Sequence, residues 1–192
     1  MLTDAAKFLL QTLFDLAACA FFLRFWLQWA RVPFHNPFAQ FIVKITDFAV
    51  KPLRRVLPGL FGLDWASLLP FFIAELLMVL SVNALMGYPF SIAGAAVLPG
   101  FLLLALAAAL RLTLYIIIGF IIFQAILSWV NPFSPLAPIF YALARPILAP
   151  FQKIVPAMGG FDLSPLVALI VIQLLLVAPV SGLERFARGL VW

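Results

Sequence analysis

Four long apolar runs decide what this chain can fold into: Phe8 to Ala30, Trp65 to Met86, Phe101 to Val130 and Leu163 to Leu183. A helix needs about 20 mostly apolar residues to cross a hydrocarbon core roughly 30 Å thick, and in lipid every backbone polar group must be satisfied within the segment. The third run is long, roughly 45 Å if wholly helical. Leu110-Arg111-Leu112-Thr113 contains no Gly, Pro or Asn to turn on, so one tilted helix is expected there. Composition agrees: 66% of the residues are hydrophobic and 10% charged, against about 25% charged in soluble domains. The predicted class is an all-α membrane protein with four transmembrane helices. Leu16-Ala17-Ala18-Cys19 resembles a lipoprotein cleavage site, but Asp15 interrupts the apolar core before it and Phe21-Phe22-Leu23 continues the run after it. An uncleaved first span is expected.

Several function classes drop out. One Cys and one His supply neither a zinc site nor a disulfide, and the seven acids are scattered singly, so no metal or cofactor is expected. The sequence lacks His-Glu-x-x-His, Gly-x-Ser-x-Gly and a glycine-rich phosphate loop, which points to a non-enzymatic protein. His35, beside Asn36-Pro37, reads as a loop residue.

Between the first two runs, Phe38, Phe41, Ile42, Ile45, Phe48, Ala49, Leu53 and Val56 recur at three- and four-residue intervals, while Gln40, Lys44, Asp47, Lys51, Arg54 and Arg55 fall opposite. This pattern predicts an amphipathic helix over 38–57 lying in the interface, its cations toward anionic headgroups, with Pro52 breaking it at Lys51. Nucleic acid is disfavoured as a partner, because no aromatic face remains free to stack bases.

Sliding the chain by 98 residues places Lys51-Pro52-Leu53-Arg54-Arg55-Val56-Leu57-Pro58 on Ala149-Pro150-Phe151-Gln152-Lys153-Ile154-Val155-Pro156, Asp64 on Asp162, and Glu75 on Gln173. A shift of 100 places Arg24 on Gln124. The chain therefore reads as two tandem parallel repeats, 1–92 and 93–192, with an even number of spans in each. The second connecting segment, 136–155, carries Pro138, Pro146 and Pro150 with only Arg145 and Lys153 as charges. It is expected to be broken, either shallow and re-entrant or buried in protein, and an accessible Leu143 would count against burial. Basic residues concentrate in the two inter-span segments, which places those in the cytoplasm and both termini outside. Trp26, Trp29 and Trp129 are expected at the inner interface.

Among polar residues, Glu75 sits mid-span, where a charged acid costs of order 3 kcal/mol. It is expected to pair or hydrogen-bond inside the bundle or to line an ion path. Arg24 is expected to snorkel to the interface rather than pair with Glu75. With Gln124 and Gln173 these form the intramembrane polar candidates. Asp64 and Asp162 read as caps on the following spans, and Ser164-Pro165 as an N-cap followed by Pro at the first helical position. Small residues over Ala105 to Ala109 suit close helix approach, within the chain or in a homo-oligomer.

Leu23-Arg24-Phe25-Trp26-Leu27-Gln28-Trp29, Asn36-Pro37-Phe38, the Lys51 to Pro58 element, Ser128-Trp129 and Pro156-Ala157-Met158-Gly159-Gly160-Phe161-Asp162-Leu163-Ser164-Pro165 resemble the YggT family of bacterial and plastid membrane proteins. The resemblance covers nearly the whole chain. It implies a small non-enzymatic protein of the bacterial inner membrane, with relatives associated with osmotic-stress tolerance and potassium homeostasis, cell division and nucleoid organisation, or plastid cytochrome assembly. The second half departs from the pattern, since Pro150-Phe151-Gln152-Lys153 keeps one of the two basic residues. Two function classes stay open: a membrane scaffold or assembly factor that engages anionic lipid or a membrane-protein partner, and a small ion channel or transport element with Glu75 and Gln173 on a polar path.

Overall fold

The apolar runs and the segments between them are helical in the computed structural model, which describes residues 1–57, 59, 63–131, 133–154 and 162–191. No β-strand occurs among the described residues. Pro58, and the Val155 to Phe161 stretch that carries part of the proline-glycine motif, lie outside them. The helices are α1 (Leu2–Trp29), α2 (Pro37–Val56), α3 (Trp65–Leu85), a single turn α4 (Phe90–Ala93), α5 (Leu98–Val130), α6 (Ala137–Ile154), α7 (Ser164–Leu175) and α8 (Ser181–Val191). Leu176–Val180 forms a π-helical turn joining α7 to α8 into one 28-residue helix. Four helical stretches are long and apolar enough to span a bilayer, as a multi-pass membrane protein requires: Leu2–Trp29, Trp65–Leu85, Ala95–Val130 and Ser164–Val191.

Local chemistry sets the ends of these helices. After α1 the N–H of Arg31 bonds the Gln28 carbonyl and that of Val32 bonds the Leu27 carbonyl, with Arg31 at φ 55°. After α3 the same pair of bonds runs from Gly87 to Ala84 and from Tyr88 to Asn83, here with Gly87 at φ 79°. Both are Schellman closures, which satisfy carbonyls that the helix end leaves open. Asn36 caps α2, its side chain accepting from the Ala39 N–H at 2.8 Å.

Three sequence expectations are corrected here. Pro52 does not break α2, which continues to Val56. Val50 is fully buried before the proline, Leu53 packs on the core after it, and Arg54 is held by Asp64. This anchoring on both sides outweighs a local proline penalty of about 3 kcal/mol. The 136–155 segment is likewise a helix over Ala137–Ile154 despite Pro146 and Pro150, with Ile139, Leu143, Ala144 and Leu148 buried against the spans. The last span runs past Leu183 to Val191. Pro179 removes one N–H inside the π turn, and the Ser181 hydroxyl supplies a donor to the Leu176 carbonyl at 2.8 Å.

Packing follows from these elements. The main core joins residues of α1, α2, α3, α5, α6 and α7, with Phe22, Trp26, Phe71 and Phe120 at its centre. Trp26 is buried within the protein, and its Nε1–H donates to the Leu143 carbonyl at 2.9 Å, tying α1 to α6. Trp29 and Trp129 are exposed. A smaller core gathers Val79, Tyr88, Phe101 and Val191. Ala105, Ala107 and Ala109 are buried within the chain. Gly100 lies against α8: a Cβ there would come within 2.5 Å of Val191 Cγ2 and 3.3 Å of the Ala187 carbonyl oxygen. Gly100→Leu is therefore expected to lower stability by about 1–3 kcal/mol through overpacking, with Gly119→Leu, whose Cβ meets nothing within 4 Å, nearly neutral; thermal unfolding in detergent checks both.

Candidate functional site

Helix α2 presents three faces, roughly 120° apart at 3.6 residues per turn. Ala39, Ile42, Thr46 and Val50 are buried against the spans. Phe41, Ile45 and Phe48 are exposed, Phe48 by 77%. Gln40, Lys44, Lys51 and Arg54 are exposed on the third face, and Arg55, also exposed, lies seven residues after Phe48 at the edge of the outward apolar stripe. The single apolar face read from the sequence is thus divided, half toward protein and half outward.

Two ionic clamps hold this helix. Arg24, 4% exposed within α1, donates through Nη1 to the Val43 carbonyl at 3.1 Å, Thr46 Oγ1 at 2.9 Å and Asp47 Oδ1 at 2.8 Å. The expectation that Arg24 snorkels outward is corrected: its charge is met one helix away, so the side chain stays inside. Lys51 Nζ binds the other Asp47 oxygen at 2.7 Å. Hydrogen bonds from Lys51, then from Arg24, hold the Asp47 carboxyl below its ordinary 3.8.

The second clamp joins Arg54 to Asp64 at 2.6 Å, with Ser67 Oγ donating to the same oxygen at 2.6 Å. Burial pushes the Asp64 carboxyl up, but the bonds from Arg54 and Ser67 outweigh it and leave the group below 3.8. Asp64 is the N-cap residue of α3, yet its side chain caps no helix N–H, so the capping role read for it is corrected to an ion pair. Lys44, Arg55, Arg145 and Lys153 are exposed and have no ion pair among the described residues.

At the start of α7, Asp162 accepts from the Ser164 N–H at 2.9 Å, as a capping acid does, and from Gln152 Nε2 at 2.9 Å. Burial raises the Asp162 carboxyl, and the bonds from Ser164 and then Gln152 bring it net below 3.8. Ser164 is the first helical residue and not the cap, with Leu163 before it in the cap position.

The remaining polar candidates separate. Glu75 is 1% exposed and lines a cavity with Asp15 and Arg111 between α1, α3 and α5. Gln124 and Gln173 share a different, larger and mostly apolar groove of about 620 Å³ between α5 and α7. Sequence reading missed the cluster in which Glu184 binds Arg111 and, at 2.6 Å, Arg188. The visible signal was Arg111 inside an apolar run, which demands a partner. No group of three or more His, Cys, Asp or Glu able to hold a metal occurs among the described residues.

A family model described as CCB3/YggT matches residues 3–85 and 103–182. The chain is 40% identical over 173 residues to an "Uncharacterized protein in proC 3'region" of Vibrio alginolyticus, covering 88% of this chain and 90% of that one. It is 34% identical to "Uncharacterized protein YggT" of Escherichia coli K12, over 90% of this chain and 87% of that one. It is 36% identical to "Uncharacterized protein PA0392" of Pseudomonas aeruginosa, over 91% and 87% respectively. No solved structure matches it significantly. With both halves of the chain inside the family match and identities at this level over most of each relative, the chain belongs to the CCB3/YggT family.

Proposed function

We propose that this protein is a non-enzymatic scaffold of the bacterial inner membrane, built from two copies of one span–helix–span unit, 1–92 and 93–192, whose clamped basic helix α2 lies in the interface and gathers anionic lipid headgroups. The observation that carries this reading is the division of α2 into three faces. A helix with protein on one side, exposed Phe41, Ile45 and Phe48 on the second and cations on the third has the surfaces that a bundle-docked interfacial helix needs. The two-unit reading is supported by equivalent contacts: Arg54 binds Asp64, and Gln152, 98 residues after Arg54, binds Asp162, 98 residues after Asp64. In this arrangement both basic segments face the cytoplasm and both termini face outward. Glu75 and Gln173 line separate cavities, which favours the scaffold over a single ion path through both.

The clamps dictate how to test this. Lys51 and Arg54 hold Asp47 and Asp64, so their removal disturbs folding, whereas Lys44 and Arg55 have no such ties. In nanodiscs of mixed neutral and anionic lipid, Lys44→Gln with Arg55→Gln is expected to cut anionic enrichment around the protein, the two charges together contributing about 2 kcal/mol, at unchanged thermal stability. Unchanged enrichment, read by mass spectrometry of retained lipid, would refute the lipid role.

A further inference from the structure

Glu75 is buried to 1% exposure in the middle of α3, and neither of its carboxylate oxygens has a hydrogen-bond partner among the described residues. Its carboxylate is left to whatever occupies the cavity it lines, a space of about 340 Å³ also lined by Gln11, Thr12, Asp15, Arg111 and Tyr115. Two acids that share a space in an apolar span repel each other and are costly unless one takes a proton or a cation joins them. Among the described residues no side-chain cation pairs with Asp15 or Glu75. Arg111 reaches the same cavity, but its guanidinium is bound to Glu184, and Arg24 is spent on Asp47.

The chemistry of the wall narrows the ligand. Apart from the Met78 thioether, the donors its lining offers to a cation are hard oxygens: two carboxylates, the Gln11 amide, the Tyr115 phenol and Thr12 Oγ1, whose own proton goes to the Phe8 carbonyl at 2.8 Å. Oxygen donors suit alkali and alkaline-earth ions. Asp15, Glu75 and Glu184 set against Arg111 and Arg188, which both bind Glu184, leave one net negative charge, which one monovalent ion neutralises. A neighbouring cavity lies on the side of the chain termini. A second cavity of about 260 Å³ shares Gln11, Met78, Ala108 and Arg111 with the first and adds Lys7, Asn83, Glu184 and Arg188 near the helix ends.

We propose that Asp15 and Glu75 bind a monovalent alkali cation, sodium or potassium, in a cavity reached from the side of the membrane that holds the chain termini. This site is independent of the interfacial role of α2 and stands or falls separately from it.

The test is thermal unfolding of the full-length protein in detergent at constant ionic strength and pH, in choline, sodium or potassium chloride, alongside radiolabelled sodium and rubidium binding. For the native sequence, one or both alkali salts should raise the unfolding temperature by several degrees in a saturable way, with labelled ion bound near one per chain, and the preferred salt identifies the ion. Glu75→Gln should fold, unfold at the same temperature in all three salts and bind at least tenfold less ion. Asp15→Asn should weaken binding in the same direction. Equal unfolding temperatures in the three salts for the native sequence, or ion binding that survives Glu75→Gln, would overturn the proposal. So would unfolding temperatures that, on repeating the series at a second pH, move with pH and not with salt, which would assign the cavity to a proton.

Discussion

Arg24→Ala is expected to cost about 3 kcal/mol and to release α2 from the bundle. Its guanidinium nitrogen makes three bonds at 2.8–3.1 Å, all to α2, from a position 4% exposed. Removing one member of a buried ion pair costs about 3–5 kcal/mol because the remaining charge is left without its counter-ion. The lower end applies because Asp47 is 22% exposed in its side chain and keeps Lys51. Arg24→Lys should recover only part of this, since an ammonium on a shorter reach cannot reproduce the bonds to the Val43 carbonyl, Thr46 and Asp47 together. Thermal unfolding gives the magnitude, and limited proteolysis within 37–56, faster in Arg24→Ala than in the native sequence, identifies α2 as the segment released. A loss under 1 kcal/mol would show that the apolar face of α2 docks it unaided.

Asp64→Ala is expected to be the second most damaging change, at about 2–3 kcal/mol. It strips Arg54 and Ser67 of a shared acceptor that is 5% exposed. The cost falls below that of Arg24→Ala because Arg54 is half exposed and returns to solvent. The same clamp makes stability depend on acid. Asp64 has a folded pKa below its ordinary 3.8, so it binds fewer protons folded than unfolded in that range; the stability it contributes is complete above about 3.8 and is lost as pH falls through the folded value. Asp47 and Asp162 are shifted in the same direction and act over the same window. These three carboxylates should therefore leave the unfolding temperature unchanged from neutral pH down to about 5 and lower it below 4. Asp64→Asn should start lower and drop less.

The spans were legible because each is an apolar run of sufficient length, a signal that lipid makes decisive. Their contacts were not legible: Asp64 and Asp162 each lie ten residues after their partners Arg54 and Gln152, yet an acid just before a span reads as a cap. Arg24 with Asp47 and Arg111 with Glu184 could not be read either. Each pair joins different helices, and whether two charges meet depends on the relative depth and rotation of those helices. The prolines misled for a related reason. Pro52, Pro146 and Pro150 carry a local preference of about 3 kcal/mol against helix interiors, while the burial of Val50, Leu143 and Leu148 around them belongs to tertiary packing. The burial of Leu143 was posed correctly from sequence as the test of whether 136–155 packs into protein, and that residue is fully buried.

The most direct test of the interfacial helix is the depth of its faces in a bilayer. Spin labels placed singly at Phe41→Cys, Phe48→Cys, Gln40→Cys and Lys44→Cys in a Cys19→Ser background, reconstituted into vesicles, report accessibility to oxygen, which concentrates in lipid, and to a polar nickel chelate. An α2 lying in the interface gives labels at 41 and 48 that favour oxygen and labels at 40 and 44 that favour nickel. Four labels with the same preference, whichever it is, would contradict a helix divided between lipid and headgroups.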